Sequence, residues 1–368
     1  STLFPYTTLF RSPYSESDAG VFIGPLAREL NALGATVRVL SLGVNPDVGP
    51  GVDVRVVGRR EIPAGGWPRL LGSLWRAPAL RLAIADELKA GGSVVHAQWC
   101  FPSGMAIPDG APCVLTVHGP DIRLMERSVV ARALGRQAAR RADLLTTVSE
   151  PLAESLQRLS RIHVAAESVR AMPVDSTGLP WSTGGKGALV LARLTADSRV
   201  HLALEALQLL VQLDQRLPLT IAGAGPERPR LEKLAEHLDI RSLVEFTEAP
   251  TREAARKLLA QSDVLIDPAV GLGFARQQVE AAMCGVPVVA CWDSGGSLGH
   301  SRGGALMRLV LPTAEAIADG VLDVRTETEG PEHRRSLATA LRDEFSAGAV
   351  ARRCMKWYEE ALRRARHH

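Results

Sequence analysis

The sequence of 368 residues has no uncharged apolar run near the ~18–20 residues that a transmembrane helix requires. The longest candidate, Ala281–Trp292, has 12 residues and contains both glycine and proline. A strong basic excess is also missing, because the net charge is only +3, which argues against a dedicated nucleic-acid binder. The hydrophobic content of 46% and the charged fraction of 23% predict a soluble globular protein long enough for two domains.

Cysteines are few, and no two of them have the Cys-x-x-Cys spacing of a zinc or redox site. Their odd number and apolar surroundings predict buried, reduced thiols in a cytoplasmic protein, and no metal site. The five are Cys100, Cys113, Cys284, Cys291 and Cys354.

The N-terminal segment Ser1–Ser12 lacks a start methionine and a signal-peptide pattern. Its sequence, STLFPYTTLFRS, is typical of translated sequencing-adapter read-through, standing where a native first strand would be expected. The alternative is a genuine strand, since Thr7–Phe10 is compatible with β structure. In either case we derive no function from these residues.

Strands and helices alternate along the rest of the chain, which predicts an α/β protein whose parallel sheets are covered on both faces. The alternation is interrupted at Ser176–Gly187, where Gly, Ser, Thr and Pro predict a linker. We therefore expect two doubly wound domains, residues 1–176 and 177–346, followed by a last helical segment, residues 347–368. Such sheets bind their ligands at the carboxyl ends of the strands.

The stretch Asp263–Gly296 combines a strand, a glycine turn, a helix and a second strand. Gly271 and Gly273 allow a close turn, so that the following helix would offer backbone N–H groups and a positive dipole to a phosphate. Glu280 lies about one and a half turns into that helix, where it could accept hydrogen bonds from vicinal hydroxyls such as those of a ribose. An ordinary βαβ unit without a ligand is the alternative.

A second glycine turn, Gly223-Ala224-Gly225-Pro226, lies between a predicted strand and a predicted helix. It has two glycines of a dinucleotide fingerprint, and Glu245 follows about 20 residues later, as a nicotinamide enzyme requires. Arg228 occupies the place of the third glycine, however, and a lone Gly-x-Gly has little specificity. A nicotinamide oxidoreductase is therefore the disfavoured hypothesis.

Two histidines and an arginine lie at predicted strand ends. An imidazole at His118 can bond a sugar hydroxyl or a phosphate, and the guanidinium of Arg193 can pair with a diphosphate bidentately. The alternatives are a structural histidine, for His118 as for His96, and a surface salt bridge for Arg193.

One long basic helix is predicted over Arg123–Arg141. Its arginines recur at spacings of four and five and so share one face, which could dock on anionic lipid head groups. The alternative is an ordinary solvated face. The arginines are Arg123, Arg127, Arg132, Arg136 and Arg140, with Arg141 beside them.

Taken together, seven ordered segments resemble the retaining glycosyltransferases of the GT-B fold, specifically family 4. The resemblance extends from about Pro13 to Tyr358, which is nearly the whole chain. Each segment alone has little specificity, whereas all seven in this order at family-like spacing are specific. The segments are AGVF (19–22), VVHAQWCFPSG (94–104), TVHGPDI (116–122), ADLLTTVSE (142–150), ARL (192–194), IAGAGPE (221–227) and GFARQQVEAAMCGVPVVA (273–290).

The resemblance implies two Rossmann-like domains that face each other across a cleft, with the last helix crossing back onto the first. It implies transfer of a sugar from a nucleoside-diphosphate sugar, with UDP or GDP as the expected nucleotide, to a glycan, lipid-linked or small-molecule acceptor. The anomeric configuration would be retained, and neither a catalytic metal nor another cofactor would be needed. The expected setting is polysaccharide or glycolipid assembly in the cytoplasm or peripherally at the inner face of the membrane.

The resemblance also implies roles for single residues. Gly20 would line the cleft and His118 would contact the transferred sugar, while Arg193 would neutralise the diphosphate. The nucleotide side would be completed by the turns Gly223-Ala224-Gly225-Pro226 and Gly273-Phe274-Ala275, the second of which would hold the diphosphate through backbone N–H groups. Glu280 would hold the ribose hydroxyls.

The sequence departs from the family pattern on the donor side. Leu272 replaces the first of two glutamates eight positions apart, and a leucine leaves donor hydroxyls unpaired at a cost of ~1–3 kcal/mol. Ser198 replaces the lysine that follows the Arg-Leu pair, and loss of that cation could slow transfer by about 10²–10³. Arg199 is adjacent, and Pro173-Val174-Asp175 is shorter than the usual interdomain motif. A degenerate, non-catalytic sugar-nucleotide-binding protein is therefore the second hypothesis.

Overall fold

The computed structural model describes residues 22–42, 48, 50–57, 77–169, 172–174, 176, 178–270, 276–291, 306–328 and 330–366. The chain divides into two compact units. The first contains residues 1–175 together with 345–368, and the second contains residues 176–344. The chain therefore returns to the first unit after completing the second.

The first unit contains five strands and six helices within the described residues. The strands are β1 (Arg38–Leu42), β2 (Asp53–Val57), β3 (Val95–Gln98), β4 (Cys113–Val117) and β5 (Leu144–Thr147). The helices are α1 (Ile23–Ala32), α2 (Ala77–Lys89), α3 (Gly119–Arg127), α4 (Val129–Arg141), α5 (Glu150–Ser160) and, after the second unit, α12 (Ala347–Ala365).

The second unit contains six strands and six helices in its described part. The strands are β6 (Ala188–Leu191), β7 (Leu219–Ala222), β8 (Val244–Thr247), β9 (Val264–Asp267), β10 (Val288–Cys291) and β11 (Met307–Val310). The helices are α6 (His201–Gln212), α7 (Arg228–His237), α8 (Arg252–Gln261), α9 (Arg276–Cys284), α10 (Ala314–Glu327) and α11 (Pro331–Phe345).

In the first unit, β1 pairs with β2, and β3, β4 and β5 form a second sheet, all in parallel register. Strands β3 to β5 are buried along their whole length, as strands covered on both faces should be. Helix α12 packs on α1 and on β4, and its apolar side chains join the core around Leu30 and Val39. The last helix is therefore an integral part of the core of the first unit.

In the second unit, six parallel strands follow the order β11-β10-β9-β6-β7-β8. The order reverses between β6 and β9, because the chain first builds outward from β6 through β7 and β8 and then continues on its other side. A crevice at the carboxyl ends of the strands is expected at such a reversal. The predicted α/β class with parallel, doubly wound sheets is confirmed.

Local signals place several helix ends where the sequence predicts them. Ser149 begins α5, since its hydroxyl accepts a hydrogen bond from the backbone N–H of Leu152. Thr251 and Thr313 cap α8 and α10 in the same way. Gly285 ends α9 with a φ of 84°, a conformation that only glycine adopts without strain.

The predicted continuous basic helix is wrong. Ser128 adopts an extended conformation with φ −139°, ends α3 and caps α4 by accepting from the N–H of Ala131. The break also removes the predicted single arginine face. Arg132 donates to the carbonyl oxygens of Met125 and Glu126, and Arg136 donates to the carbonyl of Leu159.

The predicted linker, Ser176–Gly187, begins where the second unit begins, and its later residues are hydrogen-bonded to that unit. Backbone N–H groups of Ser182 and Thr183 donate to carbonyl oxygens of Cys284 and Ala260. The N–H groups of Gly185 and Gly187 donate to the carboxylate of Asp263. The glycines therefore serve a hydrogen-bonded turn of the second unit.

Candidate active site

Several predicted site residues lie outside the described residues. These are Gly20, Gly271, Leu272, Gly273, Phe274 and Ala275. The structural account therefore concerns the remaining candidates, which fall into one group on the first unit and one group on the second.

On the first unit, His118 follows β4 and caps α3, and its backbone N–H donates to the carboxylate of Asp121 at 3.0 Å. The imidazole is stacked on the Trp99 ring, with centroids 4.7 Å apart, and lies near the Phe22 ring at 6.0 Å. The residue is 8% exposed. Its ring is therefore held in one orientation at the carboxyl end of the sheet.

The imidazole of His118 also bonds to a buried amide. Its Nε2 lies 2.8 Å from Oε1 of Gln98, and Nε2 of Gln98 donates to Nε2 of His96 at 3.0 Å. Nδ1 of His96 lies 2.9 Å from the hydroxyl of Tyr358. His96 is thus an internal hydrogen-bonding residue of the first unit, which agrees with the structural alternative.

Both histidines are neutral at physiological pH. Burial lowers the pKa of His96 to about 3. Burial, and to a smaller extent the nearby imidazole of His96, lower the pKa of His118 to about 3. Burial raises the pKa of the Asp121 carboxyl to about 7, against the opposing effect of N–H donors from His118, Cys100 and Phe101. The site on this unit therefore presents an uncharged imidazole.

On the second unit, Arg193 lies two residues after the end of β6 and is exposed. The next turn is compact, since the hydroxyls of Thr195 and Ser198 lie 3.2 Å apart. Arg199 takes a left-handed conformation with φ 48°. Burial and the charge of Asp267 raise the pKa of the Cys291 thiol to about 12, and the charge of Arg199 acts to lower it. The cation at 199 thus acts near the carboxyl end of β10.

The glycine turn after β7 is packed tightly against the segment after β6. A Cβ atom on Gly223 would lie 1.8 Å from the carbonyl oxygen of Ala192, and one on Gly225 would lie 2.3 Å from that of Leu194. The N–H of Gly223 donates to the carbonyl of Thr247. These glycines are therefore required by backbone packing, and the N–H of Gly223 already has a partner. Pro226 follows in the same exposed turn.

Glu280 is surrounded by arginines. Its Oε1 lies 3.4 Å from Arg256, 3.7 Å from Arg252 and 3.7 Å from Arg276, and its side chain is only 4% exposed. Two of the arginines come from α8 and one from α9. The three neighbouring guanidinium groups offset the cost of burying this carboxylate.

Asp267 connects the end of β9 to the first turn of α9. Its Oδ2 accepts from Nε2 of Gln278 at 2.8 Å, and its Oδ1 accepts from the N–H of Ala269. Burial raises the pKa of this carboxyl, with the two hydrogen bonds acting in the opposite direction. The contact places the beginning of the helix that carries Glu280 beside the carboxyl end of β9.

The structure thus brings Arg193, the Gly223 turn and the Glu280 helix to one edge of one sheet. It also shows three groups that sequence reasoning missed. The arginines around Glu280 could have been found from the sequence. Arg252 and Arg256 are four residues apart, as are Arg276 and Glu280, and this spacing places two residues on the same face of a helix. Gln98 and Tyr358 have no such sequence signal, since only the fold brings them together.

The Glu245 carboxylate does not support a nicotinamide site. Glu245 is the second residue of β8, paired with Thr220 in the body of β7, and is exposed. A ribose-binding carboxylate would be needed at the carboxyl end of the strand. Arg228 is instead engaged by Glu232 and Glu248.

Among the described residues, no group of three or more His, Cys, Asp or Glu side chains is arranged to hold a metal ion. All five cysteines are buried and unpaired with one another, as predicted. In the part of the chain that the structure describes, no helix combines the length and apolar character needed to cross a bilayer.

Two family descriptions match consecutive parts of the chain. "Glycosyltransferase Family 4" matches residues 19–172, and "Glycosyl transferases group 1" matches residues 175–342. The chain belongs to this family of glycosyltransferases, in agreement with the ordered motifs.

Curated relatives carry names of the same class. A GDP-mannose-dependent alpha-(1-6)-phosphatidylinositol dimannoside mannosyltransferase of Mycobacterium tuberculosis is 32% identical over 43% of this chain and 40% of its own length. The match thus spans less than half of that relative. A D-inositol 3-phosphate glycosyltransferase of Geodermatophilus obscurus is 26% identical over 95% of this chain and 84% of its own length.

Solved structures share the fold along the whole chain. Sucrose-phosphate synthase from Thermosynechococcus elongatus has a TM-score of 0.71 at 17% identity, covering 99% of this chain and 100% of its own. HepE from Anabaena, in complex with UDP, has a TM-score of 0.69 at 15% identity, covering 97% and 100%. At these identities the likeness establishes the fold, which is GT-B.

Proposed function

We propose that this protein is a retaining glycosyltransferase that moves a sugar from a nucleoside-diphosphate sugar to a glycan, glycolipid or small-molecule acceptor. The observation that carries the proposal is the convergence, at the carboxyl edge of the second unit's sheet, of Arg193, the Gly223–Pro226 turn and the helix of Glu280. A cation, a close backbone turn and a carboxylate are the groups that a diphosphate and a ribose require.

Each group has a chemical task in this proposal. Arg193 stabilises the negative charge that builds up on the leaving diphosphate, which is where preorganised positive groups accelerate transfer most. Oε1 of Glu280 is shared by three guanidinium groups, so Oε2 is the oxygen assigned to the ribose hydroxyls. The neutral imidazole of His118 contacts the transferred sugar. No step requires a metal ion or another cofactor.

The two departures from the family pattern define the alternative function. Ser198 bonds to Thr195 inside its own turn and supplies no charge. Arg199 is the neighbouring cation, and its charge acts at the end of β10. We assign to Arg199 the part that the family gives to a lysine. If it does not fulfil that part, the protein binds a sugar nucleotide without turnover.

The donor nucleotide is proposed to be UDP or GDP. The solved HepE structure contains UDP, and the M. tuberculosis relative is named as GDP-mannose-dependent. Both names fit a donor site for a nucleoside-diphosphate sugar and leave the base to be measured. We place the protein in polysaccharide or glycolipid assembly in the cytoplasm.

A peripheral membrane contact is a second part of the proposal. Val129 and Val130 at the start of α4 are 77% and 69% exposed. Arg123 and Arg127, also exposed, end the preceding helix one turn apart. Exposed valines beside arginines suit an anionic membrane surface, because burial of the valine side chains in the lipid and attraction of the arginines to the head groups both favour binding. This patch replaces the five-arginine face expected from sequence.

The experiment that tests donor binding is thermal unfolding of the full chain with UDP-, GDP- and ADP-sugars and the free diphosphates. A ligand at about 100 times its dissociation constant stabilises the folded state by ~2.7 kcal/mol. Arg193→Ala should abolish the shift with only a small effect on intrinsic stability, because the side chain is exposed. The matched control is Arg216→Ala, at an exposed position before the amino end of β7.

Turnover decides between the two functions. Hydrolysis or transfer of the donor that shifts the melting temperature, with retention of the anomeric configuration, supports the transferase. A shift without turnover against a broad acceptor panel supports the binding protein. Absence of any shift and of any turnover would reject both.

The membrane patch is tested with vesicles of phosphatidylglycerol and phosphatidylcholine at low and high salt. Binding should require the anionic lipid and weaken with salt. Val130→Asp together with Arg127→Glu should abolish it, while Gln137→Glu, on the same helix, serves as a control. Equal binding of the double variant and the native protein would reject the patch.

A further inference from the structure

A buried chain of polar side chains joins His118 to the last helix of the protein within the first unit. The chain runs from His118 to Gln98 at 2.8 Å, from Gln98 to His96 at 3.0 Å, and from His96 to Tyr358 at 2.9 Å. Gln98 and Tyr358 are 0% exposed and His96 is 1% exposed. Water therefore does not compete for these bonds, and each polar atom depends on its neighbour.

The amide of Gln98 is oriented with its oxygen toward His118 and its nitrogen toward His96, and this orientation sets the direction of the bonds from His118 to Tyr358. Its oxygen can only accept, so Nε2 of His118 carries the proton and donates it to Gln98. The amide nitrogen can only donate, so Nε2 of His96 is the acceptor. His96 then carries its proton on Nδ1 and donates to the hydroxyl oxygen of Tyr358. In the neutral imidazole of His118, Nδ1 is consequently left as the unprotonated nitrogen.

The surroundings keep this arrangement from relaxing. The hydroxyl of Thr116 lies 2.8 Å from Nε2 of His96 and 2.7 Å from the hydroxyl of Thr146, which anchors the middle of the chain to β4 and β5. Tyr358 belongs to the apolar core that α12 forms with the first unit. The Trp99 ring stacks on His118 and restricts its rotation.

We propose that Gln98, His96 and Tyr358 are positioning residues that fix the tautomer of His118, so that its unprotonated Nδ1 accepts a hydrogen bond from a hydroxyl of the donor sugar. The inference rests on the proposed function for the identity of the ligand. It deepens that function because it makes the last helix, through Tyr358, part of the site. In the Nε2–H tautomer Nδ1 can only accept, so the sugar hydroxyl is the donor of this bond, whereas in the Nδ1–H tautomer the imidazole would donate to the hydroxyl oxygen.

The test is ¹⁵N NMR of histidine-labelled full-length protein without any ligand, combined with donor turnover. The native protein should show His118 as the Nε2–H tautomer. Gln98→Met keeps the length of the side chain but removes both bonds, so His118 should shift toward the Nδ1–H tautomer. Turnover should fall about tenfold, the usual equivalent of one lost hydrogen bond of ~1.4 kcal/mol.

Tyr358→Phe is the second variant, since it removes one hydroxyl and retains the ring in the core. It should change the tautomer signal of His118 although the two residues lie at opposite ends of the chain of bonds. Thr147→Val is the matched control, because this buried hydroxyl donates to the carbonyl of Ser149 outside the chain. The control should leave the His118 signal and turnover unchanged.

The outcomes separate the inference from the proposed function. An Nδ1–H tautomer in the native protein, or a signal unmoved by both variants, overturns the inference whatever the activity. A tautomer that shifts while turnover stays at the native level also overturns it. Native protein with the expected tautomer, but with no binding or turnover of any sugar nucleotide, overturns the proposed function and retains the positioning chain.

Discussion

The guanidinium of Arg342 lies 3.6 Å above the ring of Trp181 and closes the second unit around its first segment. Its Nε donates to the carbonyl of Met283 at 2.7 Å, and one Nη donates to the carbonyls of Leu179 and Pro180. One side chain on α11 thus bonds both to the segment before β6 and to the end of α9.

Replacement of Arg342 should therefore destabilise the second unit. Arg342→Ala removes charge-assisted hydrogen bonds and a cation–π contact, and we expect a loss of ~2–3 kcal/mol. Arg342→Lys should recover only part of it, because an ammonium lacks the planar fork. Urea unfolding followed by tryptophan fluorescence measures the change.

Arg335 provides the control for this prediction. Its guanidinium also lies over Trp181, at 4.5 Å, but the side chain is exposed. Arg335→Ala should cost less than about 1 kcal/mol. Equal losses for the two arginines would show that the carbonyl contacts of Arg342 contribute nothing.

Gly223→Ala should destabilise the second unit more than a substitution at an exposed position of the same turn. The added Cβ would lie 1.8 Å from the carbonyl oxygen of Ala192, so the backbone after β6 or β7 must move. We expect a loss of about 3 kcal/mol or more, the upper range for overpacking. Ala224→Ser, at an exposed position of the turn, should be neutral. Thermal unfolding of the two variants gives the comparison.

Glu280→Gln should lower stability even without a ligand. The substitution leaves three arginine side chains around a neutral amide in a site where the carboxylate is 4% exposed. Breaking a buried ion pair from one side costs roughly 3–5 kcal/mol. Arg252→Ala should cost no more than about 1 kcal/mol, since that arginine is 38% exposed and screened by solvent.

The stability loss complicates the assignment of Glu280 to the ribose, so the two effects must be measured together. A nucleotide-induced shift that persists in Glu280→Gln, relative to its own lowered melting temperature, would contradict the ribose assignment. Loss of the shift with partial retention of stability would support it.

Acid should destabilise the first unit through its buried histidines. In the folded protein the pKa of His96 and that of His118 are about 3, below the 6.5 of a histidine in an unfolded chain. Their contribution to stability is therefore complete above pH 6.5 and is lost as the pH falls toward 3. Asp121 acts oppositely, because its folded pKa of about 7 lies above 3.8 and its cost is relieved on acidification. Between pH ~6.5 and ~4, unfolding therefore takes up one net proton. The free energy of unfolding should fall by ~1.4 kcal/mol for each pH unit of acidification.

Asp121→Asn isolates these contributions. Without the carboxyl, both histidine protons act unopposed, and the pH slope of the unfolding free energy should about double to ~2.7 kcal/mol per unit. Denaturant unfolding at half-unit pH steps measures the slope. A slope that remains unchanged would contradict the assignment of opposing titrations.

Much of the fold could be predicted because its signals are local. The strands Ala188–Leu191, Leu219–Ala222 and Val264–Asp267 lie where short apolar runs predict them. The strand Met307–Val310 was not predicted, since it is a half-buried edge strand that contains an arginine. The break at Ser128 was missed because arginine spacing suggested one continuous face, whereas a serine that caps a helix begins a new one.

The candidate site could be predicted only in its strand-end members. Arg193 and His118 each follow a strand in the sequence, and each therefore lies at the carboxyl edge of its own sheet, His118 on the first unit and Arg193 on the second. The compensation of Glu280 by arginines of α8, and the packing of Gly223 on Ala192, depend on how neighbouring elements lie side by side.

The sequence by itself determined the α/β alternation, the caps and the family, because these follow from the propensities and spacings of neighbouring residues. Only the tertiary structure decided which nitrogen of His118 carries the proton. The bond between His96 and Tyr358 joins residues 262 positions apart, and no local preference acts over that separation. Burial makes this bond costly to break, since a polar atom removed from water must be paired inside the protein.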